Sequence, residues 1–565
     1  MLAPRRLDAG TLLLGYEGLD GHARRTRIVL DPAPEWQGDA RAVYTVRLEP
    51  HAESTFRWGI ACEVDEPAAH ARRTRVAATY EAASDEAARA LANARAPEPQ
   101  IHTSNTQFNH WLNRSLADIH LLRTDTPYGP YPYAGVPWYS TVFGRDGIIT
   151  ALQCLWMSPQ LARGVLACLA ATQADEEDAD RDAQPGKILH EMRAGEMAAL
   201  GEIPFGRYYG SIDATPLFAM LADAYLQRTG DLEFAQLLWP HVERALAWVD
   251  SYGDPDGDGF YEYARRSPTG LLNQGWKDSH DAVFHADGSP AEGPVALCEV
   301  QAYVYAAKLG AARIAGALGL AARAGRLADE AAHLRERFEA AFWCDDLGTY
   351  ALALDGGKRA CRVVTSNAGH CLYAGIASDE RAHRVAQTLT GEPSFSGWGI
   401  RTVSMHERGY NPMSYHNGSV WPHDNALIAA GFARYGLKEA TMKVLTGLFD
   451  SALFFDQHRL PELFCGFPRR PGESPTHYPV ACSPQAWAAG AVLLCLQACL
   501  GMEVRNPNPA VKFTDPALPP FIESMVIRGL KVGDASVDLV FSRHGEDVGI
   551  NVLGRTGRVS VVTVK

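Results

Sequence analysis

Hydrophobic residues recur every three to four positions in about twelve segments between Asn105 and Gly501, the spacing of amphipathic helices. The predicted helices are 105–122, 146–157, 159–173, 214–229, 231–252, 299–317, 320–343, 366–376, 379–390, 423–435, 437–453 and 484–501. After the second, fourth, sixth, eighth and tenth helices the connector is only one or two residues long. After the odd-numbered helices the connectors are 123–145, 174–213, 253–298, 344–365, 391–422 and 454–483. Tight turns and long loops therefore alternate strictly.

This alternation predicts six helical hairpins that lie side by side. Structureless loops beyond about 12–15 residues are uncommon in compact domains and are usually functional. Stacked hairpins form either an open solenoid or a closed double ring, and residues 105–501 show no self-similar period. We therefore expect an (α/α)6 barrel whose even-numbered helices form the inner ring. Its long loops meet at one rim, where the functional residues are expected.

The flanks of the helical region alternate in the manner of strands. The fold is predicted to be mainly α, with a truncated N-terminal β-sandwich-like region and a small C-terminal β segment. The expected domains are a β-rich region at 1–80, a linker helix at 81–104, the barrel at 105–503 and the β segment at 504–565.

Composition narrows the class of partner. The net charge of −13 is spread along the chain without a Lys/Arg run, so nucleic acid is not an expected partner. The 11 cysteines include no Cys-x-x-Cys pair and indicate a reducing compartment rather than disulfides or zinc. No signal-peptide core or membrane span is present, so we predict a cytoplasmic protein without a membrane partner. The oligomeric state stays open.

Two loop carboxylates have bulky apolar neighbours. Asp278 lies in Gly-Trp-Lys-Asp-Ser and Glu462 in Leu-Pro-Glu-Leu-Phe. Desolvation by such neighbours raises the pKa of a carboxyl toward the range of a general acid. Hydrolysis of a glycosidic bond requires two carboxyl groups that face each other across a sugar. The alternative is structural, with Asp278 as a helix or turn cap and Glu462 as a salt-bridge partner.

The long loops also carry the residues of a sugar subsite. A pyranose has an apolar C–H face and a rim of hydroxyls, which aromatic rings and an Arg–carboxylate pair can bind. Arg145 and Asp146 begin the second helix after an aromatic-rich loop, although Asp146 could instead be only the N-cap, with Arg145 on a neighbouring carboxylate. The predicted substrate-binding residues are Trp138, Phe143, Arg145, Asp146, Glu191, Tyr209, Trp276, Lys277, Trp398, His416, Asn417, Trp421 and His423.

Five ordered motifs carry a family resemblance: FGRDG, YYGSID (208–213), GWKDS, HNGSVWPHDN (416–425) and LPELFCG. Together they resemble bacterial amylo-α-1,6-glucosidase or glycogen-debranching-like proteins, within the inverting (α/α)6-barrel glycosidases that include trehalase and mannosylglycerate hydrolases. The resemblance implies that Asp278 is the general acid and Glu462 the general base. It also implies that Arg145 and Asp146 hold sugar hydroxyls, with Trp138, Trp276 and Trp421 as walls; His416, Asn417 and His423 are weaker carry-overs.

We therefore expect an inverting hydrolase of α-linked glucosides, with debranching-type amylo-α-1,6-glucosidase activity as the first expectation. Its partner would be an oligosaccharide or small glycoside, and no cofactor is required. The two carboxyl groups of an inverting enzyme lie about 6.5–9.5 Å apart, which leaves room for water.

Other functions stay open. The alternatives are a hydrolase of small glycosides of the glucosylglycerate or mannosylglycerate type, a non-catalytic carbohydrate-binding scaffold, and a sugar epimerase that uses His190, His416 and His423. Residues 254–259 resemble the start of a calcium loop, but Arg265 stands where the bidentate Glu should be. We expect a Gly/Asp-rich hairpin there and no metal site.

Overall fold

A computed structural model describes residues 1–65 and 79–565. The part of the predicted β-rich region that falls on 66–78 lies outside the described residues. The chain divides into two compact units: Met1–Ala96 with Ala194–Gly206, and Pro97–Arg193 with Arg207–Lys565. This division is coarser than the four predicted segments, which stay a prediction.

The described residues form 14 α-helices. They are α1 Tyr80–Arg95, α2 Thr106–Leu122, α3 Gly144–Cys154, α4 Pro159–Ala171, α5 Glu196–Ala199, α6 Ala214–Thr229, α7 Leu232–Tyr252, α8 Cys298–Ala317, α9 Ala321–Ala341, α10 Asn367–Ala374, α11 Asp379–Thr390, α12 Pro422–Arg434, α13 Lys438–Ala452 and α14 Ala486–Leu500. The twelve predicted helices are α2–α4 and α6–α14, with ends that differ by at most three residues. A single 3₁₀ turn covers Asp456–His458.

Strands are more numerous than the prediction of a mainly α fold allowed, and the chain is mixed α and β. They are β1 Arg5–Arg6, β2 Thr11–Glu17, β3 Ala23–Asp31, β4 Glu35–Gln37, β5 Arg41–Val43, β6 Arg57–Val64, β7 Gln100–Thr103, β8 Arg123–Thr126, β9 Gly129–Pro132, β10 Val142–Phe143, β11 Glu191–Met192, β12 Ala296–Leu297, β13 Trp343–Cys344, β14 Thr349–Tyr350, β15 Ala353–Leu354, β16 Met502–Arg505, β17 Ala510–Thr514, β18 Ser524–Val532, β19 Ala535–His544, β20 Asp547–Thr556 and β21 Ser560–Val564.

In the first unit, β1, β2, β3 and β6 form an antiparallel sheet in that order, and β4 pairs with β5. In the second unit, β20, β19, β18 and β7 form another antiparallel sheet, and β16, β17 and β21 a three-stranded one. Residues 100–103 were predicted to belong to a linker; they pair with β18 instead. Four short strand pairs, β8–β9, β10–β11, β12–β15 and β13–β14, stiffen the long loops.

The helices of the second unit form two layers. Helices α3, α6, α8, α10, α12 and α14 pack each against the next, and α14 packs against α3, so the inner helices close into a ring. In α14 every residue except Gln497 is buried, whereas α9 buries only Leu327, Ala331, Leu334 and Phe338. The predicted inner and outer positions of these two helices are confirmed by this burial.

The tight turns connect an inner helix to the next outer one. Helix α6 ends at Thr229 and is followed by Gly230, whose φ of 69° is readily adopted only by glycine. Asp231 then caps α7, because its side chain accepts a hydrogen bond from the amide of Phe234. Among helices of the described residues, none is long and apolar enough to span a membrane.

Candidate functional site

Arg145 connects α3 to the loop that carries Asp278. Its guanidinium donates to the carbonyl of Gly275 at 3.1 and 3.3 Å and to Asp213 Oδ2 at 3.2 Å. Its Nη1 lies 3.7 Å from Asp278 Oδ2. The side chain of Arg145 is only 3% exposed, so these contacts hold a buried charge against two carboxylates. Arg145 is therefore oriented by the protein itself and fixes the backbone three residues before Asp278.

The Asp278 side chain is 29% exposed and reaches solvent at the rim. Burial of its surroundings raises the pKa of the carboxyl from 3.8 to about 6, although Arg145 acts in the opposite direction. Asp213 raises the pKa further. A carboxyl with this pKa can carry a proton near neutral pH and release it to a substrate.

Glu462 is buried and held from both sides. Tyr415 Oη donates to Oε1 at 2.6 Å, and the amide of Cys482 donates to Oε2 at 3.0 Å. Burial raises the pKa of Glu462 to about 7, while these two donors lower it and the nearby Asp278 raises it. The hydrogen bonds orient the carboxylate, and neither of its oxygens forms an ion pair with a described residue.

Two more carboxyl groups with raised pKa lie in the same region. Burial raises the pKa of Asp146 and of Glu191 to about 7. Gln485 Nε2 donates to Asp146 Oδ1 at 3.2 Å, and Arg193 pairs with Glu191 at 3.0 Å. The pKa of Asp146 is raised further by Glu462 and Asp278, and that of Glu191 by Asp278. The carboxyl groups that the sequence separates by as much as 316 residues therefore form one electrostatic cluster.

The prediction that Asp146 is the N-cap of its helix is wrong. Helix α3 begins at Gly144, and Phe143 is the N-cap without a side-chain hydrogen bond. Asp146 lies inside the first turn, where the helix dipole favours a negative charge. The other half of that alternative is confirmed, because Arg145 does lie on a neighbouring carboxylate.

Four predicted aromatic residues form one group. Trp276 makes edge contacts with His416, Trp421 and His423 at centroid distances of 5.8, 5.7 and 5.0 Å. His416 stacks on Trp421 at 5.1 Å. Three of these residues belong to the fifth long loop or the start of α12, and Trp276 comes from the third loop. Residues far apart in sequence thus make one buried aromatic surface beside Asp278, with each ring at most 3% exposed.

Several buried polar atoms of this surface have no hydrogen-bond partner among the described residues. They are Trp276 Nε1, Trp487 Nε1, Asn417 Oδ1, Gln485 Oε1 and both ring nitrogens of His423. Buried polar groups in proteins are nearly always paired with protein, water or ligand. This group of donors and acceptors matches the needs of a polyhydroxylated ligand.

The remaining predicted residues are placed differently. Trp138 is 55% exposed and donates to the carbonyl of Val480. The side chains of Lys277, Tyr209 and Asn417 donate to the carbonyls of Thr402, Thr172 and Asp281, respectively. Phe143 makes edge contacts with Tyr139 and His190, and Trp398 packs against Phe454 and Arg469. Each polar side chain of this set thus has a hydrogen-bond partner in the protein, whereas Asn417 Oδ1 has none among the described residues.

Three residues at the site were not among the predicted ones. Tyr415 binds Glu462, Asp213 binds Arg145, and Tyr139 Oη lies 3.4 Å from Tyr415 Oη. Asp213 ends the YYGSID motif and Tyr415 directly precedes HNGSVWPHDN, so their positions beside motifs were the available signal.

The calcium-like segment is neutralised from within the chain. Asp254, Asp256 and Asp258 lie together, and Lys358 Nζ is 2.9 Å from Asp256 and 2.7 Å from Asp258. Lys358 also contacts Glu262. An ammonium group therefore supplies the positive charge at this acidic cluster.

Comparison with known families agrees with a carbohydrate site. A family model described as the mannosylglycerate hydrolase MGH1-like glycoside hydrolase domain matches residues 142–457. The N-terminal domain of (some) glycogen debranching enzymes matches residues 2–59. No curated protein matches the chain. Because the first model spans more than half of the 565 residues, the chain belongs to the MGH1-like glycoside hydrolase family.

Solved structures share the fold at low sequence identity. A GH78 family rhamnosidase of Bacillus sp. GL1 has a TM-score of 0.61 and 13% identity, over 98% of this chain and 54% of that one. A sialidase has a TM-score of 0.59 and 10% identity, over 97% of this chain and 60% of that one. A GH63 mannosylglycerate hydrolase from Thermus thermophilus, in complex with glucose, has a TM-score of 0.50 and 15% identity. The match covers 68% of this chain and 99% of that one. The chain spans about half the length of the rhamnosidase.

Proposed function

We propose that this protein is an inverting glycoside hydrolase, that its ring of helices is an (α/α)6 barrel, and that Asp278 and Glu462 are its general acid and base. The observation that carries the proposal is the pair of carboxyl groups with raised pKa beside the Trp276 surface. Glycoside hydrolysis requires two such groups. The closed contact order of the six inner helices supports the barrel.

Hydrogen bonds support the proposed roles of the two carboxyl groups. The pKa is about 6 for Asp278 and about 7 for Glu462. The proposed acid thus has the slightly lower pKa, although a general acid usually has the higher one. The proposed roles rest instead on the donors around each carboxyl group. Glu462 accepts two hydrogen bonds that favour its ionised form, as a base requires. Asp278 is the more exposed carboxyl, and apart from its own backbone amide it has no such donor among the described residues, which suits an acid that reaches the leaving group.

The mechanism is a single displacement. Asp278 gives its proton to the glycosidic oxygen as the bond from that oxygen to the anomeric carbon breaks. Water attacks the opposite face of that carbon and gives a proton to Glu462. The products are an alcohol and a sugar of inverted anomeric configuration. Arg145 fixes the acid loop, and Tyr415 orients the base.

The unpaired polar atoms indicate how the sugar would be held. Trp276 and Trp487 offer indole N–H donors, and Asn417 and Gln485 offer amide oxygens. Sugar hydroxyls both donate and accept, so they can satisfy both kinds of atom. Trp276 and Trp421 supply the apolar surface on which a pyranose ring packs.

Two substrate classes follow from the two family matches. The model that covers Asp278 is named for mannosylglycerate hydrolase, which favours a small glycoside of a hydroxylated carboxylic acid. The match at residues 2–59 favours the second candidate, the α-1,6-linked glucose stub of a branched glucan. We place the small glycoside first, because its family model includes the proposed acid and the aromatic residues Trp276 and Trp421.

Two other functions are less consistent with the site. A sugar epimerase requires histidines that exchange protons, but burial holds the pKa of His190, His416 and His423 well below 6.5. A silent binding scaffold has no need for carboxyl groups with raised pKa in one cluster.

The test is hydrolysis of a panel followed by NMR in real time. The panel contains mannosylglycerate, glucosylglycerate, isomaltose, panose, limit dextrin and trehalose. If the β-anomer is released first from an α-glycoside, the proposal is supported. The glycoside that is hydrolysed then identifies the substrate class. Release of the α-anomer first contradicts inversion. If no glycoside of the panel is hydrolysed, and Asp278→Asn binds the same glycosides as tightly as the wild type, a non-catalytic binding scaffold is favoured.

A further inference from the structure

A strained turn lies just before Glu462, at the start of the sixth long loop. Gln457 has a φ of 58° and His458 a φ of 56°, and the amide of Arg459 donates to the carbonyl of Asp456 at 3.1 Å. Positive φ at both central residues is typical of a type I′ turn, which is dominated by glycine, asparagine and aspartate. Histidine is also enriched at positive φ, but glutamine is not. The unfavourable conformation is therefore concentrated at Gln457.

One face of helix α2 contacts three successive residues of this turn. The residues on that face are spaced four positions apart, which places them on one side of the helix: His110, Arg114 and Asp118. The first stacks its ring on His458 at a centroid distance of 5.7 Å, and the second donates to Gln457 Oε1 at 2.9 Å. The third accepts two hydrogen bonds from Arg459, at 2.7 and 2.8 Å. Each of residues 457–459 thus has its own partner on α2.

The pair of Asp118 and Arg459 is the strongest of these contacts. Two parallel hydrogen bonds between a guanidinium and a carboxylate are stronger than neutral ones and fix the relative orientation of the two groups. The side chain of Asp118 is only 2% exposed, and that of Arg459 is 22% exposed. Gln457 is exposed, so its single hydrogen bond to Arg114 contributes little to stability by comparison. Backbone strain persists only where the surrounding structure over-determines it, and here α2 provides that constraint.

We propose that three residues of α2 position the general base by holding the turn before it. We call them the α2 clamp: His110, Arg114 and Asp118. With Gln457 held at positive φ, the chain enters the site in one direction, and a misplacement of about 1 Å at a catalytic group can lower turnover by about 10²-fold. The inference rests on the proposed function, because the position of Glu462 matters for turnover only if Glu462 acts as the base.

Movement of the turn would reach Glu462, because little of the intervening chain is free to absorb it. Leu460 and Pro461 are buried, and a close-packed interior transmits displacements. On the far side, the amide of Glu462 donates to the carbonyl of Cys482 at 2.9 Å, which fixes the residue itself. The base is thus held at two points, and the α2 clamp supplies the one that precedes it in the chain.

Substitution of Gln457 separates the backbone conformation from the side-chain contact. Gln457→Val and Gln457→Gly both remove the hydrogen bond to Arg114, but a β-branched residue disfavours positive φ, whereas glycine adopts it freely. Gln457→Val should lower kcat about tenfold with KM unchanged, because only the base is displaced, and Gln457→Gly should recover at least about half of the wild-type kcat. His51, an exposed residue of the first unit with a φ of 64°, provides the matched control, and His51→Val should leave kcat unchanged.

Hydrogen exchange tests the positioning without any substrate. Followed by mass spectrometry, the amides of residues 459–464 should exchange faster in Gln457→Val than in the wild type, and at the wild-type rate in Gln457→Gly. Arg459→Lys keeps the charge beside Asp118 but loses the planar fork, so it should show faster exchange and a kcat loss like that of Gln457→Val. If the exchange follows this pattern and no glycoside is hydrolysed, the turn is held as inferred and only the proposed function fails.

Three results would overturn the inference. They are wild-type kcat in both Gln457→Val and Arg459→Lys, an equal loss of kcat in Gln457→Val and Gln457→Gly, and faster exchange throughout the chain rather than around the turn. The second would assign the effect to the lost hydrogen bond, and the third to a general loss of stability. If Gln457→Val does not fold, the comparison of Arg459→Lys with Gln457→Gly provides the same decision.

Discussion

Asp231 and Asp278 have the same side-chain exposure, 29%, at two different connections of the helical unit. Asp231, on a tight turn, accepts from Arg163 at 2.6 Å, from Tyr225 at 2.9 Å and from the amide of Phe234 at 3.0 Å. Asp278, on a long loop, has one cation at 3.7 Å and carboxyl groups nearby. Exposure alone therefore does not distinguish a structural carboxylate from one proposed to be reactive. The number of hydrogen-bond donors around the carboxylate distinguishes them.

The difference shows where the protein accepts unfavourable electrostatics. At the tight turn, both carboxylate oxygens of Asp231 accept hydrogen bonds. At the rim, the raised pKa values of Asp146, Glu191, Asp278 and Glu462 mean that the folded state disfavours their charged forms. Such an arrangement is retained where proton transfer requires it, and active sites commonly reduce stability in this way.

The largest expected effect is the loss of the proposed acid or base. Asp278→Asn and Glu462→Gln should each lower kcat by about 10²–10⁴-fold, because neither amide can transfer the proton. Steady-state kinetics on the substrate found by the panel measures this, with circular dichroism to show that the fold is kept. Wild-type turnover in either variant would remove that residue from the mechanism.

A smaller kinetic effect is expected from Tyr415→Phe. Loss of its hydrogen bond removes an influence that lowers the pKa of Glu462, so that pKa should rise by about one unit. The base must be ionised, so the acidic limb of the kcat/KM profile should move to higher pH and activity on that limb should fall about tenfold. Tyr139→Phe, whose hydroxyl lies on Tyr415 rather than on the carboxylate, serves as the control. An unmoved limb in Tyr415→Phe would argue against Glu462 as the base.

The turn carboxylate should show the opposite behaviour. Asp231→Ala removes a helix cap and should lower the free energy of unfolding by about 1–2 kcal/mol, with no change in kcat. Its partly exposed pair with Arg163 adds little. Urea denaturation and kinetics on one preparation measure both quantities. A kcat loss like that of Asp278→Asn would break the contrast between the two aspartates.

The smallest expected effect concerns pH and stability. The pKa of Asp278 is about 6 in the folded chain and about 3.9 when unfolded, so the folded state binds more protons between these values. Stability from this group is therefore present below about pH 4 and lost as pH rises through 6. Asp278→Asn should raise Tm by about 1–3 °C at pH 8 and leave it unchanged at pH 4. Differential scanning calorimetry at the two pH values measures this, and a larger gain at pH 4 would contradict the assigned pKa.

The sequence predicted all twelve helices of the second unit, because outer helices such as α9 bury one face and inner helices such as α14 are almost wholly apolar, and both patterns are local. Two short strand pairs of the long loops, β10 with β11 and β12 with β15, escaped prediction because they join residues about 50–60 positions apart and carry no local period. The same reason applies to β7, which was assigned to a linker although it completes a C-terminal sheet.

The sequence by itself determined the helices, the alternation of turns and loops, and the motifs that hold Asp278 and Glu462. Only the tertiary structure decided which groups meet: Arg145 with Asp213 and Gly275, and Tyr415 with Glu462. Helical patterning acts over a few residues, so it can be read along the chain. The pKa of a carboxyl group and the hydrogen bonds that orient it depend on atoms contributed by loops that are distant in sequence, and they are set only when those loops are folded together.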